Sequence, residues 1–127
     1  MEENRCLPGV AKLRLEVVHC GSMPFANTQQ RDMHFARHGH EFGAADALQY
    51  EQLADAFMIM PLAITMRECI RPNGTDRVRI NVANKHFGVG VVSSNVIQTY
   101  YIVPLRKLIR RGGVAQFFQY ECGRADL

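Results

Sequence analysis

The sequence lacks the features that most directly identify a class of protein. Its four cysteines form no CxxC pair and no zinc-knuckle spacing, which excludes cysteine-based metal and redox motifs. No apolar run approaches the roughly 18 residues of a membrane helix, and the N-terminus lacks the basic and apolar regions of a secretion signal. These absences predict a soluble, cytoplasmic protein with reduced thiols, unless the chain is a piece of a longer secreted one.

Charge of one sign is not in strong excess either. Fifteen Lys and Arg against twelve Asp and Glu give a formal net charge of +3, too small alone to indicate a polyanionic partner. Twelve of the fifteen are Arg, whose planar fork suits bidentate phosphate contacts, although high-GC coding gives the same bias. With 127 residues and 47% hydrophobic content, the chain is expected to form one domain over residues 1–127.

Two helices are predicted in the first half of the chain. Residues 29–41 suit a helix of about three turns that ends in a glycine-containing stretch. From Tyr50 to Met58 apolar residues recur at i, i+3, i+4, i+7 and i+8, one stripe of an amphipathic helix. Asp46 and Gln49 are expected to form a capping pair at its start.

Strands make up most of the remaining prediction. An alternating pattern predicts a half-buried strand over residues 11–19. Segments of β-branched and alternating residues between turn signals predict further strands at residues 64–70, 77–82, 87–92, 96–103 and 114–120. The basic residues 106–111 are expected to form an exposed connector. The predicted fold class is α+β, with N-terminal helices packed on a four- to five-stranded antiparallel sheet.

The segment from His34 to Glu41 carries the clearest candidate chemistry. On a helix, His34 and His38 stand at i and i+4, with Arg37 and Glu41 beside them. Histidine titrates near neutrality, so the pair can supply a general acid and base, while Arg37 binds a phosphate or developing negative charge. Two other interpretations stay open: a solvated polar face, and a zinc site in which His40 or Glu41 adds to HxxxH, although HExxH is absent.

A second polar group is predicted on the strands. Alternation places three polar side chains on one face of a strand: Arg77, Arg79 and Asn81. One side of the sheet is therefore expected to be basic rather than packed. A hydroxyl of Thr99 or Tyr100 would reach a ligand on such a sheet, although an ordinary strand role is the alternative for each. Lys85 lies at a predicted turn, where its side chain is free to approach a ligand.

Four short motifs follow one another in a set order. They are His34-x-x-x-His38-Gly39-x-Glu41-Phe42-Gly43, Tyr50-x-x-x-Ala54-x-x-Phe57, Phe87-Gly88-Val89, and Ile97-x-Thr99-Tyr100-Tyr101 with Pro104. Over residues 31–104 this order resembles bacterial polymorphic-toxin and phage-borne ribonucleases, of the superfamily that groups barnase, EndoU, the tRNA-cutting colicins and RelE-like toxins. The resemblance implies N-terminal helices on a four-stranded antiparallel sheet. It also implies cleavage of RNA without metal or other cofactor, by attack of the 2′-hydroxyl on the adjacent phosphate.

The resemblance further implies roles for individual residues. One of His34 and His38 would act as acid or base, and Thr99 would hydrogen-bond the phosphate. Arg79 or Lys85 would stabilise the charged transition state. Four further residues are predicted to bind the substrate: Arg37, Arg77, Tyr100 and Tyr101. RNA, including tRNA, and an acidic immunity protein would be the partners, with no membrane involved. The alternatives are a non-enzymatic module that binds protein or nucleic acid, and a zinc-dependent hydrolase.

Overall fold

The computed structural model describes residues 22–124, so the strand predicted over residues 11–19 lies outside the described part of the chain. Within that part, the elements in order are α1 (Thr28–His38), a 3-10 helix (Gly39–Phe42), α2 (Ala47–Ile59), β1 (Met66–Ile70), β2 (Asp76–Asn81), β3 (His86–Val91), β4 (Val96–Ile102), α3 (Leu105–Arg111) and α4 (Val114–Gly123). The predicted α+β class and antiparallel sheet are confirmed, and helices lie both before and after the sheet. No helix within residues 22–124 is long and apolar enough to span a membrane.

The first two helices begin where polar side chains cap them. Oδ1 of Asn27 accepts a hydrogen bond from the backbone N–H of Gln30 at 2.8 Å, and Oδ1 of Asp46 accepts one from Gln49 at 2.8 Å. Oε1 of Gln49 accepts in turn from the N–H of Ala45 at 2.6 Å, which confirms the predicted capping pair. The bonds to Gln30 and Gln49 satisfy backbone donors that the first turn of a helix leaves free, so short-range chemistry determines both helix starts.

The sheet is a meander in which each strand pairs antiparallel with the next. The register places one residue of each strand in a row across the sheet: Glu68, Arg79, Gly88 and Tyr100. A bulge between Val89 and Gly90 shifts the pairing with β4, so Ile97 and Tyr100 point to the same face although they are three residues apart. At the outer edge of β4, Phe25 forms an isolated bridge with Ile97.

Helices cover both faces of the sheet, each over its own hydrophobic core. The core on the side of α1 and α2 comprises Met23, Phe25, Tyr50, Ala54, Phe57, Met58, Met66, Ile97 and Tyr100. The core on the side of α3 and α4 comprises Val78, Ile80, Phe87, Val89, Val103, Leu108 and Phe117. Gly88 allows α2 to lie close to the sheet, because a Cβ on Gly88 would be 2.8 Å from Sδ of Met58. The described part of the chain therefore has three layers, helix, sheet and helix.

The C-terminal part of the chain corrects two predictions. The basic residues expected to form an exposed connector are α3, and the segment predicted as a last strand at residues 114–120 is α4. Val114, Phe117 and Phe118 follow the helical period and pack against the sheet, so burial of this stripe outweighs the strand preference of the aromatic residues. Gly112, with φ of 93°, ends α3 in the left-handed conformation and joins the two helices.

The face of β2 that was expected to be basic is packed instead. Arg79 is 5% exposed, and Arg77 is half-buried. Alternation in the strand was predicted correctly, but polar residues on one face do not show whether a helix covers that face. Here α2 covers it, and the guanidinium of Arg79 lies beneath the end of α2.

A disulfide joins Cys69 of β1 to Cys122 of α4. The prediction of reduced thiols is therefore wrong for these two residues, whereas Cys6 and Cys20 lie outside the described residues. The two cysteines are 53 positions apart, and only the packing of α4 on the sheet brings them together. Beside the disulfide, Arg71 pairs with Asp76 at 3.3 Å and with Glu121 at 2.7 Å, so the β1–β2 hairpin and α4 are joined by covalent and ionic contacts.

Candidate active site

His38 and Glu41 form the best-defined polar pair near the histidine segment. Nδ1 of His38 is 2.8 Å from Oε2 of Glu41, and Oε1 of the same carboxylate accepts a hydrogen bond from the backbone N–H of Ile102 at 2.8 Å. The tight 3-10 helix after α1 brings Glu41 between the imidazole and the edge of β4. A carboxylate accepts but does not donate, so Nδ1 carries the proton and Nε2 of neutral His38 is left as the basic nitrogen.

Tyr101 and Lys107 lie next to this pair. The rings of His38 and Tyr101 are stacked with centroids 5.2 Å apart, and Nζ of Lys107 is 4.6 Å from the Tyr101 centroid. Burial raises the pKa of the Tyr101 hydroxyl above its usual range, and Glu121 adds to the effect. Burial lowers the pKa of Lys107. Tyr101 is thus a neutral residue whose ring contacts both an oriented imidazole and a partly desolvated ammonium.

His34 has a more structural environment than His38. Its ring stacks on Phe25 with centroids 5.2 Å apart and is 6.4 Å from the ring of His38. Within the described residues, its buried Nδ1 has no hydrogen-bond partner. Burial lowers the pKa of His34, and the neighbouring His38 and Arg37 lower it further. His34 is therefore held in its neutral form and anchors the segment before α1.

The depressed pKa of His34 gives the stability a defined pH dependence. Below about pH 6.5 the unfolded chain binds a proton that folded His34 resists, so stability is lost as the pH falls through this value. We expect the urea midpoint to decrease between about pH 7.5 and 5.5, with one histidine contributing at most about 1.4 kcal/mol per pH unit. His34→Phe, which keeps the stacking on Phe25, should reduce the slope and leave the part that comes from His86, whose pKa is also lowered by burial, whereas His40→Gln at an exposed position is the control. Equal slopes for wild type and His34→Phe would contradict the assignment.

Arg79 and Thr99 do not converge on one site. Nε of Arg79 donates to Oε1 of Glu68 at 2.5 Å, and Nη1 donates to the carbonyl oxygens of Phe57 at 3.1 Å and Met60 at 2.5 Å. These bonds occupy the guanidinium beneath the end of α2. Thr99 pairs with Val89 and so points to the opposite face of the sheet. The predicted phosphate site built from Arg79 and Thr99 is therefore not assembled.

The other predicted residues are distributed over separate surfaces. Arg37 is exposed on α1, near His34. Nζ of Lys85 donates to the carbonyl of Ala83 in the β2–β3 turn, at 3.2 Å. Arg77 is half-buried on β2, and its buried Nε has no partner within the described residues. Of the strand residues predicted from the sequence, only Tyr101 lies beside His38.

Tyr100 belongs to a second cleft on the α2 side of the sheet. Its volume is about 250 Å³, and its lining includes His86, Asn81 and Phe57. The Tyr100 ring stacks on Phe42 with centroids 4.2 Å apart, and burial lowers the pKa of His86. Tyr100 and Tyr101 are adjacent in the strand and point to opposite faces of the sheet. The two tyrosines predicted to bind the substrate therefore lie on different sides of the sheet.

No protein-family model and no curated protein sequence matches this chain. The resemblance to the ribonuclease superfamily therefore stays an expectation that rests on the ordered motifs of residues 31–104.

The donor set does not fit a zinc site. Within residues 22–124, no group of three or more His, Cys, Asp or Glu side chains is placed to hold a metal ion. Nδ1 of His38 is bonded to Glu41, and the rings of His34 and His38 are stacked rather than converging on one point. The two histidines of the HxxxH motif have other contacts instead: Glu41 orients His38, and His34 packs on Phe25.

The roles of two residues of this site were not predicted from the sequence. Glu41 was recognised only as a neighbour of the histidines, although its i+3 spacing from His38 is a signal for a hydrogen-bonded pair. Lys107 was missed because its segment was assigned to a connector. Leu105, Leu108 and Ile109 recur at i, i+3 and i+4, and this spacing is the signal that indicates a helix around Lys107.

Proposed function

We propose that the chain is a metal-independent endoribonuclease in which His38 acts as the general base. The observation that carries the proposal is the carboxylate of Glu41, which binds both Nδ1 of His38 and the backbone N–H of Ile102. A base held in one tautomer and one orientation by a second group is the usual arrangement for proton transfer in hydrolytic and phosphoryl-transfer sites. RNA carries its own nucleophile, so a positioned base and positive charge suffice.

The proposed reaction is an internal transfer at phosphorus. The proton of the 2′-hydroxyl passes to Nε2 of His38 while the 2′-oxygen bonds to the adjacent phosphorus. The bond from phosphorus to the 5′-oxygen breaks, and the 5′-oxygen takes a proton from water. The products are a 2′,3′-cyclic phosphate and a free 5′-hydroxyl, and His38 returns its proton to solvent. Lys107, whose Nζ lies over the Tyr101 ring that stacks on His38, supplies positive charge near the base, whereas the guanidinium of Arg79 is occupied by Glu68 and two carbonyls.

The direct test is cleavage of tRNA and total RNA in the presence of EDTA. We expect wild type to cut under these conditions and His38→Ala to lose about 10²- to 10⁴-fold in rate, the usual contribution of a general acid or base. His40→Ala is the matched control, since His40 is an exposed histidine of the same segment. Intact RNA with wild type, or equal rates for wild type and His38→Ala, would overturn the proposal.

The predicted partners follow from the same proposal. RNA, and tRNA in particular, is the expected substrate, and the cytoplasm of a host or target cell is the expected place of action. Expression of wild type is then expected to arrest growth, whereas a module that only binds would be harmless. An acidic immunity protein that covers the basic surface near Lys107 is the partner that electrostatic complementarity favours.

A further inference from the structure

The helices α3 and α4 enclose a basic cleft of about 190 Å³ on the opposite side of the sheet from α2. Its polar and charged lining is Lys107, Arg110, Arg111, Tyr120, Glu121 and Arg124. Glu121 already accepts from Arg71 at 2.7 Å and from Arg124 at 3.3 Å. Within residues 22–124, no carboxylate forms an ion pair with Lys107, Arg110 or Arg111. The cleft therefore has a local excess of positive charge.

Aromatic rings hold several of these cations in place. The guanidinium carbon of Arg111 is 3.4 Å from the ring centroid of Tyr120, and that of Arg124 is 5.8 Å from it. Nζ of Lys107 is similarly held over Tyr101, at 4.6 Å. Such cation–π contacts restrict long side chains that would otherwise be mobile, so an incoming anion meets donors that are already oriented.

Lys107 gives the cleft a further preference for an anion. Burial lowers the pKa of Lys107. The positive charges of Arg106, Arg110 and Arg124 lower this pKa further, whereas Glu121 raises it. An anion bound among these cations would relieve their mutual repulsion. The arginine forks match phosphate in a bidentate way, and the guanidinium of Arg111, held over the Tyr120 ring, presents a plane on which a base can stack.

We propose that the cleft between α3 and α4 binds the phosphate groups of single-stranded RNA. The inference rests on the proposed function, because Tyr101 contacts both His38 of the candidate active site and Lys107 of the cleft. RNA phosphates in the cleft would place a neighbouring phosphodiester beside the oriented imidazole. Phosphate contacts of this kind position a nucleic acid without reading its sequence.

The test measures binding separately from cleavage. The probe is a fluorescent 2′-O-methyl RNA of about twelve nucleotides, which lacks the nucleophile and stays intact, and its affinity is followed by anisotropy over a range of salt. We expect Arg110→Gln with Arg111→Gln to weaken binding about tenfold or more, and to reduce the salt slope by about 0.7 for each lost phosphate contact. The matched control is Arg67→Gln, compared with Arg110→Gln alone: each removes one exposed charge, but Arg67 lies on β1 outside the cleft, and its replacement should change affinity less than about twofold.

Each remaining outcome decides the proposal. Equal weakening by Arg110→Gln and Arg67→Gln, or no binding by wild type, would overturn it, as would competition by polyglutamate as effective as that by RNA. Binding that depends on the cleft, in a protein that leaves ordinary RNA intact, would support the cleft and refute the ribonuclease. Cleavage by wild type with unchanged binding in the cleft variant would refute the cleft alone. If the double variant does not fold, the comparison of Arg110→Gln with Arg67→Gln, both at exposed positions, still decides the proposal.

Discussion

Replacing Glu41 with glutamine is expected to slow RNA cleavage by about 10²- to 10⁴-fold, nearly the full contribution of a general base. The amide oxygen can still accept from the N–H of Ile102, so the edge of β4 stays connected to the 3-10 helix. The amide nitrogen, however, donates toward Nδ1 of His38. That contact favours the tautomer with hydrogen on Nε2, which cannot take a proton from the 2′-hydroxyl.

This prediction can be checked without relying on activity alone. Nitrogen chemical shifts from NMR should report hydrogen on Nδ1 of neutral His38 in wild type and on Nε2 in Glu41→Gln. Asp32→Asn is the control, because it removes a carboxylate from the exposed face of α1 without touching His38. A Glu41→Gln protein with unchanged rate and tautomer would show that the carboxylate only connects α1 to β4.

Replacing Arg79 with methionine is expected to lower the free energy of unfolding by about 1–3 kcal/mol, the usual cost of leaving buried hydrogen-bond acceptors without a donor. The change leaves Glu68 without its cation and leaves two carbonyl oxygens at the end of α2 without a donor. Methionine has a similar length but cannot replace these bonds. The measurement is a urea titration at neutral pH, with the cleavage rate per folded molecule measured alongside.

The matched control is Arg67→Met on the neighbouring strand. Arg67 is exposed and bonds only to nearby carbonyls of its own segment, so we expect a change within about 0.5 kcal/mol. If Arg79→Met instead kept its stability and lost only catalysis, the role implied by the superfamily resemblance would be restored. The structural role predicts the reverse, a less stable protein whose folded fraction has the activity of wild type.

Where interactions between residues close in the chain determine the structure, the sequence alone was enough to predict it. The caps at Asn27 and Asp46 act within four residues, and the helices that they start are the predicted ones. Four of the predicted strands are confirmed with small shifts at their ends, since alternation and turn residues mark them locally. The last strand failed because an apolar, aromatic segment bounded by glycine suits either a strand or a buried helix.

The candidate site depends more strongly than the helices and strands do on contacts between residues far apart in the chain. Thr99 and Tyr100 are adjacent, so only one of them can share a face with Arg79, and the register that selects Tyr100 passes through β3. No pattern within a single strand contains that information. The pair of His38 and Glu41 lies within one short segment and could be predicted from its spacing, whereas the approach of Lys107 to Tyr101 requires α3 to fold back beside β4.

The bond between Cys69 and Cys122 turns part of the chain into a covalent ring that contains β2, β3, β4 and α3. A single cut of the backbone within this ring leaves both pieces attached to each other. The exposed turn at Ser93 and Ser94 is the kind of place where proteases cut folded proteins. A protein nicked there would still carry the α3–α4 cleft on its sheet, and it would run as one band on a gel until the disulfide was reduced.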